Sequence, residues 1–350
     1  MIKMLQNSVD ITEGNFRQTL SLASKLQEMG DYDKAKLYYE KLYEFKKNVP
    51  ELLAGYGSVL LQIGKAEDGI VFLEQALKIK PNQPGPLSNL SVGYLKQNKI
   101  EMALKSADSA IKIDPNFAEA YAAKANSLVR LERLSEALES YTKAIQIKPE
   151  ASNFYNLRGV AFQNSNRLED ALSDYNKAIA LKPDNASAYF NKGYLKLLLG
   201  DFVAGWRLFE WRWKGYAKKY FRNYPQKLWT GEPLAGKSIF IHAEQGFGDF
   251  IQHFRYVIEV MKCEPQHLFL EVPDGLASLV ALVSPKIEII KKKQTLPKFD
   301  YYCPIMSLPY AFKTRLDTIP NSIPYFTLKK NNLNEAEQKV SQGKMPNENR

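Results

Sequence analysis

The chain has 350 residues, 45% hydrophobic and 25% charged, which is ordinary for a globular protein of about two domains. Two cysteines and no Cys-x-x-Cys pair exclude a disulfide scaffold and a cysteine-ligated zinc site, and no apolar run approaches the ~18 residues of a membrane span. The net charge of +10 suggests an acidic partner such as nucleic acid, but its even spread argues against that partner: +4 falls on residues 1–215 and +6 on residues 216–350.

The first 15 residues form a lead-in that lacks the apolar core of a signal peptide, so we expect a cytoplasmic protein, or one exported by a route that leaves no such mark. A repeat then begins at Phe16. Its clearest mark is a set of prolines spaced by 34 residues, and three of them end near-identical Ala-Ile-x-(Ile/Leu)-x-Pro strings. This period, with a proline closing each unit, is the signature of the tetratricopeptide repeat (TPR). The repeated prolines are Pro81, Pro115, Pro149 and Pro183.

Small residues keep the same register inside each predicted second helix, where they allow paired helices to approach closely. They occur at Gly69, Ala103, Ala137 and Ala171, and again seven residues later at Ala76, Ala110, Ala144 and Ala178. About six units therefore cover residues 16–215. We predict an α-solenoid, a TPR superhelix in which each unit buries its apolar face against its neighbours.

The first helices of such an array line its concave wall, and here their inward positions carry mostly amides. Amides donate to and accept from a peptide backbone without reading its sequence, which favours a protein or peptide ligand. The alternative is that these positions are polar only because they face water. The predicted groove residues are Asn89, Lys96, Asn126, Arg130, Asn156, Asn164 and Asn191.

All four tryptophans lie within residues 206–229. Trp206, Phe209 and Trp213 share one face of a predicted last helix, because they are spaced by three and four residues. We interpret this face as packing that covers the end of the array rather than as a ligand-stacking surface. Residues 216–236 then form an aromatic junction whose prolines and glycines exclude a regular helix.

Residues 237–328 change pattern to an α/β unit, and residues 329–350 form a polar tail. Strand, helix, strand, helix and strand in succession predict a parallel sheet with covering helices. The predicted strands are residues 238–243, 267–272, 286–290 and 299–305, and the predicted helices are residues 250–262 and 274–283.

A glycine loop, Gly246-Phe-Gly248, follows the first of these strands, where open α/β sheets bind their ligands. Asp249 is predicted to start the next helix, where a carboxylate caps free amides, stays ionised and could act as a general base. A plain helix cap is the more common role for such a residue. Ile251 replaces the third glycine of a dinucleotide fingerprint, so NAD is not expected, and the histidines lack a metal-binding spacing.

Two strings, Leu228 to Lys237 and His242-Ala-Glu-Gln-Gly-Phe-Gly-Asp249, resemble bacterial TPR proteins with a C-terminal glycosyltransferase-like region. The resemblance extends to the Trp206–Trp213 string and to Cys303-Pro-Ile-Met-Ser-Leu-Pro309, and it implies a Rossmann-like domain that is the N-terminal half of a GT-B fold. In the related heptosyltransferases, the Asp that opens the first helix is the proposed base, a role that would fall to Asp249. The resemblance implies an acceptor loop of His242, Glu244, Gln245, Gly246, Gly248, Gln252 and Arg255.

The sequence departs from this pattern after Ile323-Pro-Tyr-Phe326, where the half that binds the nucleotide sugar would follow. We therefore expect a truncated glycosyltransferase-like domain that is inactive by itself, with no metal and no cofactor. Two functions remain open. The first is a TPR scaffold for a protein or peptide; the second is a glycosyltransferase whose nucleotide-sugar half is supplied by a partner chain.

Overall fold

The computed structural model describes residues 10–244, 246–292 and 294–322. The chain divides into two compact units, one ending at Ala188 and the other beginning at Tyr189. This division falls inside the sixth predicted repeat, so the last repeat belongs mostly to the second unit. The two units are described separately below.

Helical pairs follow one another through the predicted repeat region, and residues 16–210 form a TPR solenoid. Each pair begins where the 34-residue period places it. The twelve helices of this region are α1 (Phe16–Glu28), α2 (Tyr32–Phe45), α3 (Pro50–Gln62), α4 (Ala66–Ile79), α5 (Pro84–Lys96), α6 (Ile100–Ile113), α7 (Ala118–Arg130), α8 (Leu134–Ile147), α9 (Ser152–Asn164), α10 (Leu168–Leu181), α11 (Ala186–Leu198) and α12 (Phe202–Phe209).

The predicted small residues lie where two helices of one repeat touch. A Cβ atom built on Gly57 of α3 would lie 2.8 Å from the carbonyl oxygen of Gly69 in α4, and the converse distance is also 2.8 Å. Ala103, Ala137 and Ala171 occupy the equivalent position in later repeats and are fully buried. The period in the sequence therefore reports a packing requirement, since the backbones approach too closely for a larger side chain.

The turn inside each repeat places one residue in the left-handed backbone region, again at intervals of 34 residues. Glycine suits this conformation because it has no Cβ, and asparagine tolerates it. Glu132, with φ of 58°, is the poorest residue for the position. The residues concerned are Gly30, Gly64, Asn98, Glu132, Asn166 and Gly200.

The last helix of the array is shorter than the aromatic pattern predicts. α12 ends at Phe209, and Glu210–Lys214 form a 3-10 turn, so Trp213 does not continue the helical face of Trp206. Trp206 packs edge-on against Phe209, while Trp211 stacks on Tyr189 with ring centroids 3.9 Å apart. The prediction of one continuous apolar face was wrong because the α-helix changes to a 3-10 turn after Phe209. In this turn Arg212 is buried.

The second unit contains a small parallel sheet in the order β1-β5-β2-β3-β4. The four longer strands match the predicted ones within two residues at each end, and the short β1 lies in the junction, for which only a regular helix was excluded. The elements are β1 (Lys227–Leu228), β2 (Ser238–His242), α13 (Phe247–Lys262), β3 (His267–Glu271), α14 (Ala277–Ala281), β4 (Ile287–Ile290), β5 (Tyr301–Pro304) and α15 (Leu308–Ala311).

The order of the strands determines where a ligand-binding site can lie in the second unit. β3 and β4 lie on one side of β2, and β5 lies on the other, so the chain reverses its direction of travel across the sheet at β2. Phe250, Phe254 and Val257 of α13 pack with Ile239 and Ile241 of β2 in the core. This packing fixes the start of α13 just beyond the carboxyl end of β2, where open α/β sheets bind ligands.

Candidate functional site

The first unit contains a cavity of about 510 Å³ that runs along the first helices of its first three repeats. Its walls are residues of α1, α3 and α5, and one residue, Tyr39, comes from a second helix. The lining residues are Arg17, Leu20, Ser21, Ser24, Gln27, Tyr39, Glu51, Ala54, Gly55, Ser58, Gly85, Pro86 and Asn89.

The floor of this cavity consists of small residues and of longer side chains that bond to one another. The Tyr39 hydroxyl donates to Gln27 Oε1 at 3.1 Å, and Gln27 Nε2 donates to Ser58 Oγ at 3.0 Å. A Cβ on Gly55 would overlap the Tyr39 ring. The floor is therefore fixed before any ligand arrives, which lowers the entropic cost of binding.

Of the predicted groove residues, Asn89 lines this cavity. Asn126 accepts a 2.5 Å hydrogen bond from the Tyr141 hydroxyl, and Asn156 is 5% exposed, so both serve the packing of their repeats. Arg130 donates to Asn98 Oδ1 at 2.6 Å, and Asn191 lies in the second unit. Lys96 and Asn164 are exposed outside the cavity.

The second unit contains a cavity of about 320 Å³ at the carboxyl ends of β2, β3 and β4. The loop after β2, the loop after β3 and the turn after β4 each supply part of its wall, and the junction supplies Arg222. The lining residues are Arg222, Ala243, Glu244, Gly246, Phe247, Glu271, Val272, Pro273, Asp274 and Lys292.

Two arginines, Arg212 of the turn that follows α12 and Arg222 of the junction, bind the two buried glutamates of this wall. Arg212 donates from Nε to Glu244 Oε2 at 3.1 Å and from Nη2 to Glu244 Oε1 at 3.0 Å. Arg222 donates to both oxygens of Glu271, at 2.6 and 2.8 Å. Paired, planar contacts of this kind fix orientation as well as charge. The turn after α12 is thereby joined to the end of β2, and the junction to the end of β3.

The Arg212 guanidinium is fully buried and has further partners in its own turn and in the segment that follows β5. It donates to Glu210 Oε1 at 2.6 Å and to Ser307 Oγ at 2.8 Å, while the Met306 amide donates to Glu244 at 3.0 Å. Burial raises the pKa of the Glu244 carboxyl, and the adjacent Arg212 charge opposes that shift. This network fills the space beyond the carboxyl ends of β2 and β5 with the protein's own side chains.

The start of α13 differs from the prediction. Gly246, with φ of 71°, is the residue before the helix, and no side chain caps the first turn. Asp249 is the third helical residue, so our assignment of it as the helix-starting cap was wrong. The ψ of Gly246, 139°, combines with this φ in a backbone region that glycine alone adopts readily, which is why the cap falls there. The Asp249 carbonyl holds Nδ1 of the buried His253 at 2.8 Å.

The other predicted loop residues are dispersed. Glu244 and Gly246 line the cavity, whereas His242 is 2% exposed at the end of β2 beside Tyr224 and Tyr302. Burial lowers the pKa of His242 to about 4, so the ring is neutral near pH 7. Gly248 and Gln252 are exposed on α13, Arg255 donates to the Gln252 carbonyl at 3.1 Å, and Gln245 lies outside the described residues.

Sequence reasoning missed Arg212, Arg222, Asp274 and Lys292. A signal for the arginines existed: residues 211–231 contain six basic residues and no acidic one. A segment whose charged residues are all basic needs carboxylates from other parts of the chain, and Glu244 and Glu271 supply them.

Among the described residues, no three histidine, cysteine or acidic side chains gather as a metal site. None of the helices described is both long and apolar enough to cross a bilayer.

Comparisons with known proteins agree on the repeats. A tetratricopeptide repeat model matches residues 20–49 and 50–83, and a TPR repeat model matches residues 125–166 and 164–200. The TPR protein TTC0263 of Thermus thermophilus is 19% identical, with 52% of this chain and 99% of that chain covered and a TM-score of 0.49.

Two further solved structures are similar. The Cut9-Hcn1 hetero-tetramer of the APC/C is 12% identical, with 57% of this chain and 40% of that chain covered and a TM-score of 0.51, and this likeness is one of fold alone. YrrB, described as a TPR protein with an unusual peptide-binding site, is 22% identical, with 49% and 88% covered and a TM-score of 0.35. No curated protein matches the chain.

Proposed function

We propose that the chain is an interaction scaffold whose first three repeats bind an extended segment of a partner protein. The observation that carries this proposal is the 510 Å³ cavity along α1, α3 and α5. Repeat arrays of this kind commonly bind their partners along an extended concave surface, and the two charged residues that line this cavity, Arg17 and Glu51, balance each other.

The chemistry of the cavity suits a peptide main chain. Hydroxyls of Ser21 and Ser24 and the amide of Asn89 can both donate and accept, as a peptide backbone requires. Arg17 and Glu51, of opposite charge, lie on neighbouring repeats and can fix the direction of the bound segment, if Glu51 exchanges its exposed ion pair with Lys80, at 3.3 Å, for a group of the peptide. The cavity also offers apolar contacts between these polar groups, from Leu20, Ala54 and Pro86.

The test is selection of binding peptides from a displayed library of random sequences, followed by affinity measurement with a labelled peptide. Asn89→Ala should weaken binding about tenfold, because two hydrogen bonds to the peptide are lost. Ala54→Arg should fill the cavity and remove binding while the far-ultraviolet circular dichroism stays unchanged. Lys105→Ala, on the exposed face of α6, is the matched control and should bind as the parent chain does. Equal affinity of Asn89→Ala, Ala54→Arg and the parent would contradict the proposal.

A second candidate function is sugar transfer by the sheet region, completed by a nucleotide-sugar-binding half from another chain. The observation that favours it is the uncapped start of α13 at Gly246, beside a cavity at the strand ends. Asp249, in the first turn of α13, would be the base that takes the acceptor's proton. Asp249→Asn should then abolish transfer in the assembled enzyme and leave folding intact, whereas retained transfer would exclude Asp249 as the base.

A further inference from the structure

A second cavity of the second unit, of about 470 Å³, lies beside the segment that connects β1 to β2. This segment forms one wall, Cys263 at the end of α13 contributes to another, and the residues from Ala311 to Lys313 at the end of α15 form the third. Cys263 and Gly246 lie at opposite ends of α13, about 25 Å apart along the helix axis. Among the described residues, none lines both this cavity and the one at the carboxyl ends of the strands.

The walls of this cavity are mainly apolar and are fixed by contacts within the fold. The Trp229 ring packs edge-on against Phe312, with ring centroids 5.2 Å apart, and its Nε1 donates to the Glu232 carbonyl at 2.8 Å. Gly231 approaches the chain so closely that a Cβ built on it would lie 2.6 Å from the Ala311 carbonyl oxygen. Because these walls are in place before a ligand binds, an apolar ligand makes its contacts at little cost in ordering. The apolar lining residues are Trp229, Pro233, Leu234, Ala235, Ala311 and Phe312.

Two charged residues line this cavity, Glu232 and Lys313, and they differ in their availability to a ligand. One carboxylate oxygen of Glu232 pairs with Lys227 at 2.6 Å, and the other accepts from the Thr230 amide at 2.7 Å. The hydrogen bond from Lys227 lowers the pKa of Glu232 to about 2, so this carboxylate stays ionised and paired at neutral pH. The Lys313 side chain is exposed, and within the described part of the chain it has neither an ion-pair nor a hydrogen-bond partner. The cavity therefore offers a ligand one free positive charge.

Apolar walls with one free ammonium group select the chemistry of a ligand. The walls favour a hydrocarbon chain or an aromatic ring, and the ammonium group favours a single negative charge on it. An amine would meet the charge of Lys313, while the carboxylate of Glu232 is already paired.

We propose that this cavity binds a small monocarboxylate with an apolar body, whose carboxylate pairs with Lys313 and whose body lies against Trp229 and Phe312. The volume of 470 Å³ falls within the range of about 300–1,000 Å³ for small-molecule sites. The proposal concerns binding alone. It depends neither on peptide binding by the first unit nor on sugar transfer.

The test uses the full 350-residue chain and the rate at which Cys263 reacts with a thiol reagent. The chain has two cysteines: Cys303 is fully buried, whereas Cys263 is partly exposed and lines the cavity. A ligand in the cavity slows the labelling of Cys263, and the dependence of the rate on ligand concentration gives the affinity. The probes are octanoate and 3-phenylpropionate, compared with octanamide, octylamine and acetate. We expect protection by at least one of the two apolar carboxylates, weaker protection by octanamide, and the least by octylamine and acetate.

Two lysine variants test the role of the charge. Lys313→Gln should weaken the affinity for the protecting carboxylate about threefold to fivefold, as expected for the loss of an exposed ion pair, and leave the affinity for octanamide unchanged. The matched control, Lys286→Gln, removes the same charge from an exposed residue outside the cavity and should bind as the parent does. Both variants alter exposed side chains, so their thermal midpoints should match the parent's.

Three results would each overturn the proposal. The first is labelling of Cys263 at the same rate with and without either apolar carboxylate. The second is an affinity for octylamine equal to that for the protecting carboxylate. The third is a Lys313→Gln variant that binds this carboxylate as tightly as the parent does.

Discussion

Arg212 donates two parallel hydrogen bonds to the carboxylate of Glu244, across 32 residues of sequence and with the guanidinium fully buried. This pair joins the turn that ends the repeat array to the loop that follows β2. A buried ion pair adds little net stability when intact, but removing one partner leaves an uncompensated charge in the interior. Substitution of either residue alone should therefore lower the free energy of unfolding of the second unit.

Arg212→Met should destabilise the second unit by about 3–5 kcal/mol, because Glu210 and Glu244 lose their shared cation. Urea unfolding followed by tryptophan fluorescence measures this directly, since all four tryptophans lie in the second unit. Adding Glu244→Gln should recover part of the loss. Lys218→Met, an exposed residue of the next 3-10 turn, should cost less than about 0.5 kcal/mol. An unchanged midpoint for Arg212→Met would show that the pair is dispensable.

Gly57→Ala should destabilise the first unit by about 1–3 kcal/mol, because the new methyl meets the Gly69 carbonyl, which cannot move without shifting α4. Thermal unfolding followed by circular dichroism tests this. Gly85→Ala is the control: it also lies in the first helix of a repeat, but its Cβ would meet no atom within 4 Å. If both variants have the same thermal midpoint as the parent, the close approach of α3 and α4 contributes no measurable stability.

Glu132→Gly should stabilise the first unit by about 1 kcal/mol, because the side chain has a steric cost in the left-handed region that glycine avoids. Glu132 occupies the turn position that glycine holds in three of the other repeats. Asn166→Gly, at the same position one repeat later, should gain less, because asparagine tolerates the conformation better. Thermal unfolding followed by circular dichroism measures both variants. A lower thermal midpoint for Glu132→Gly would show that the side chain makes a compensating contact.

The second unit should lose stability as pH falls from about 6.5 to about 4. Burial lowers the pKa of His242 to about 4, whereas an unfolded histidine titrates near 6.5. Across this window the unfolded chain binds a proton that the folded chain does not, so stability rises with pH. Between pH 7 and pH 5 the loss from His242 is about 2 kcal/mol.

His253 contributes in the same direction, because burial also lowers the pKa of its ring. His242→Phe should therefore reduce, not abolish, the dependence of the fluorescence-detected unfolding free energy on pH. An identical slope in the parent and in His242→Phe would contradict the assignment of a buried neutral imidazole.

The repeats were predictable from the sequence because the contacts between paired helices require small residues at a fixed spacing. The close contact of Gly57 with Gly69 recurs as small residues every 34 positions, and it needs no knowledge of distant contacts. The strands of the sheet were also predictable from short apolar runs. The Arg212–Glu244 and Arg222–Glu271 pairs were not, because they join residues 32 and 49 apart that no periodicity relates.

The candidate sites were predicted only in part, because the sequence pattern identifies residues near a strand or helix end but not those brought together by the fold. Asn89 lines the cavity of the first unit, but a pattern of polar residues on first helices could not separate it from Asn126, whose amide bonds to Tyr141. Gly246 and Glu244 were placed at the strand ends because they follow β2 directly. Asp274 and Lys292 come from later loops, and the sheet order alone brings them to the same cavity.

The most direct test of the scaffold proposal is photo-cross-linking of a selected peptide that carries a photoreactive residue. Mass spectrometry then identifies which residues of the chain it labels. We predict that the cross-links fall on the surface formed by α1, α3 and α5, between Arg17 and Asn89, and that Ala54→Arg removes them. Cross-links concentrated on the exposed face of α6, or in the sheet region after Ser238, would contradict the proposal that the first three repeats bind the partner.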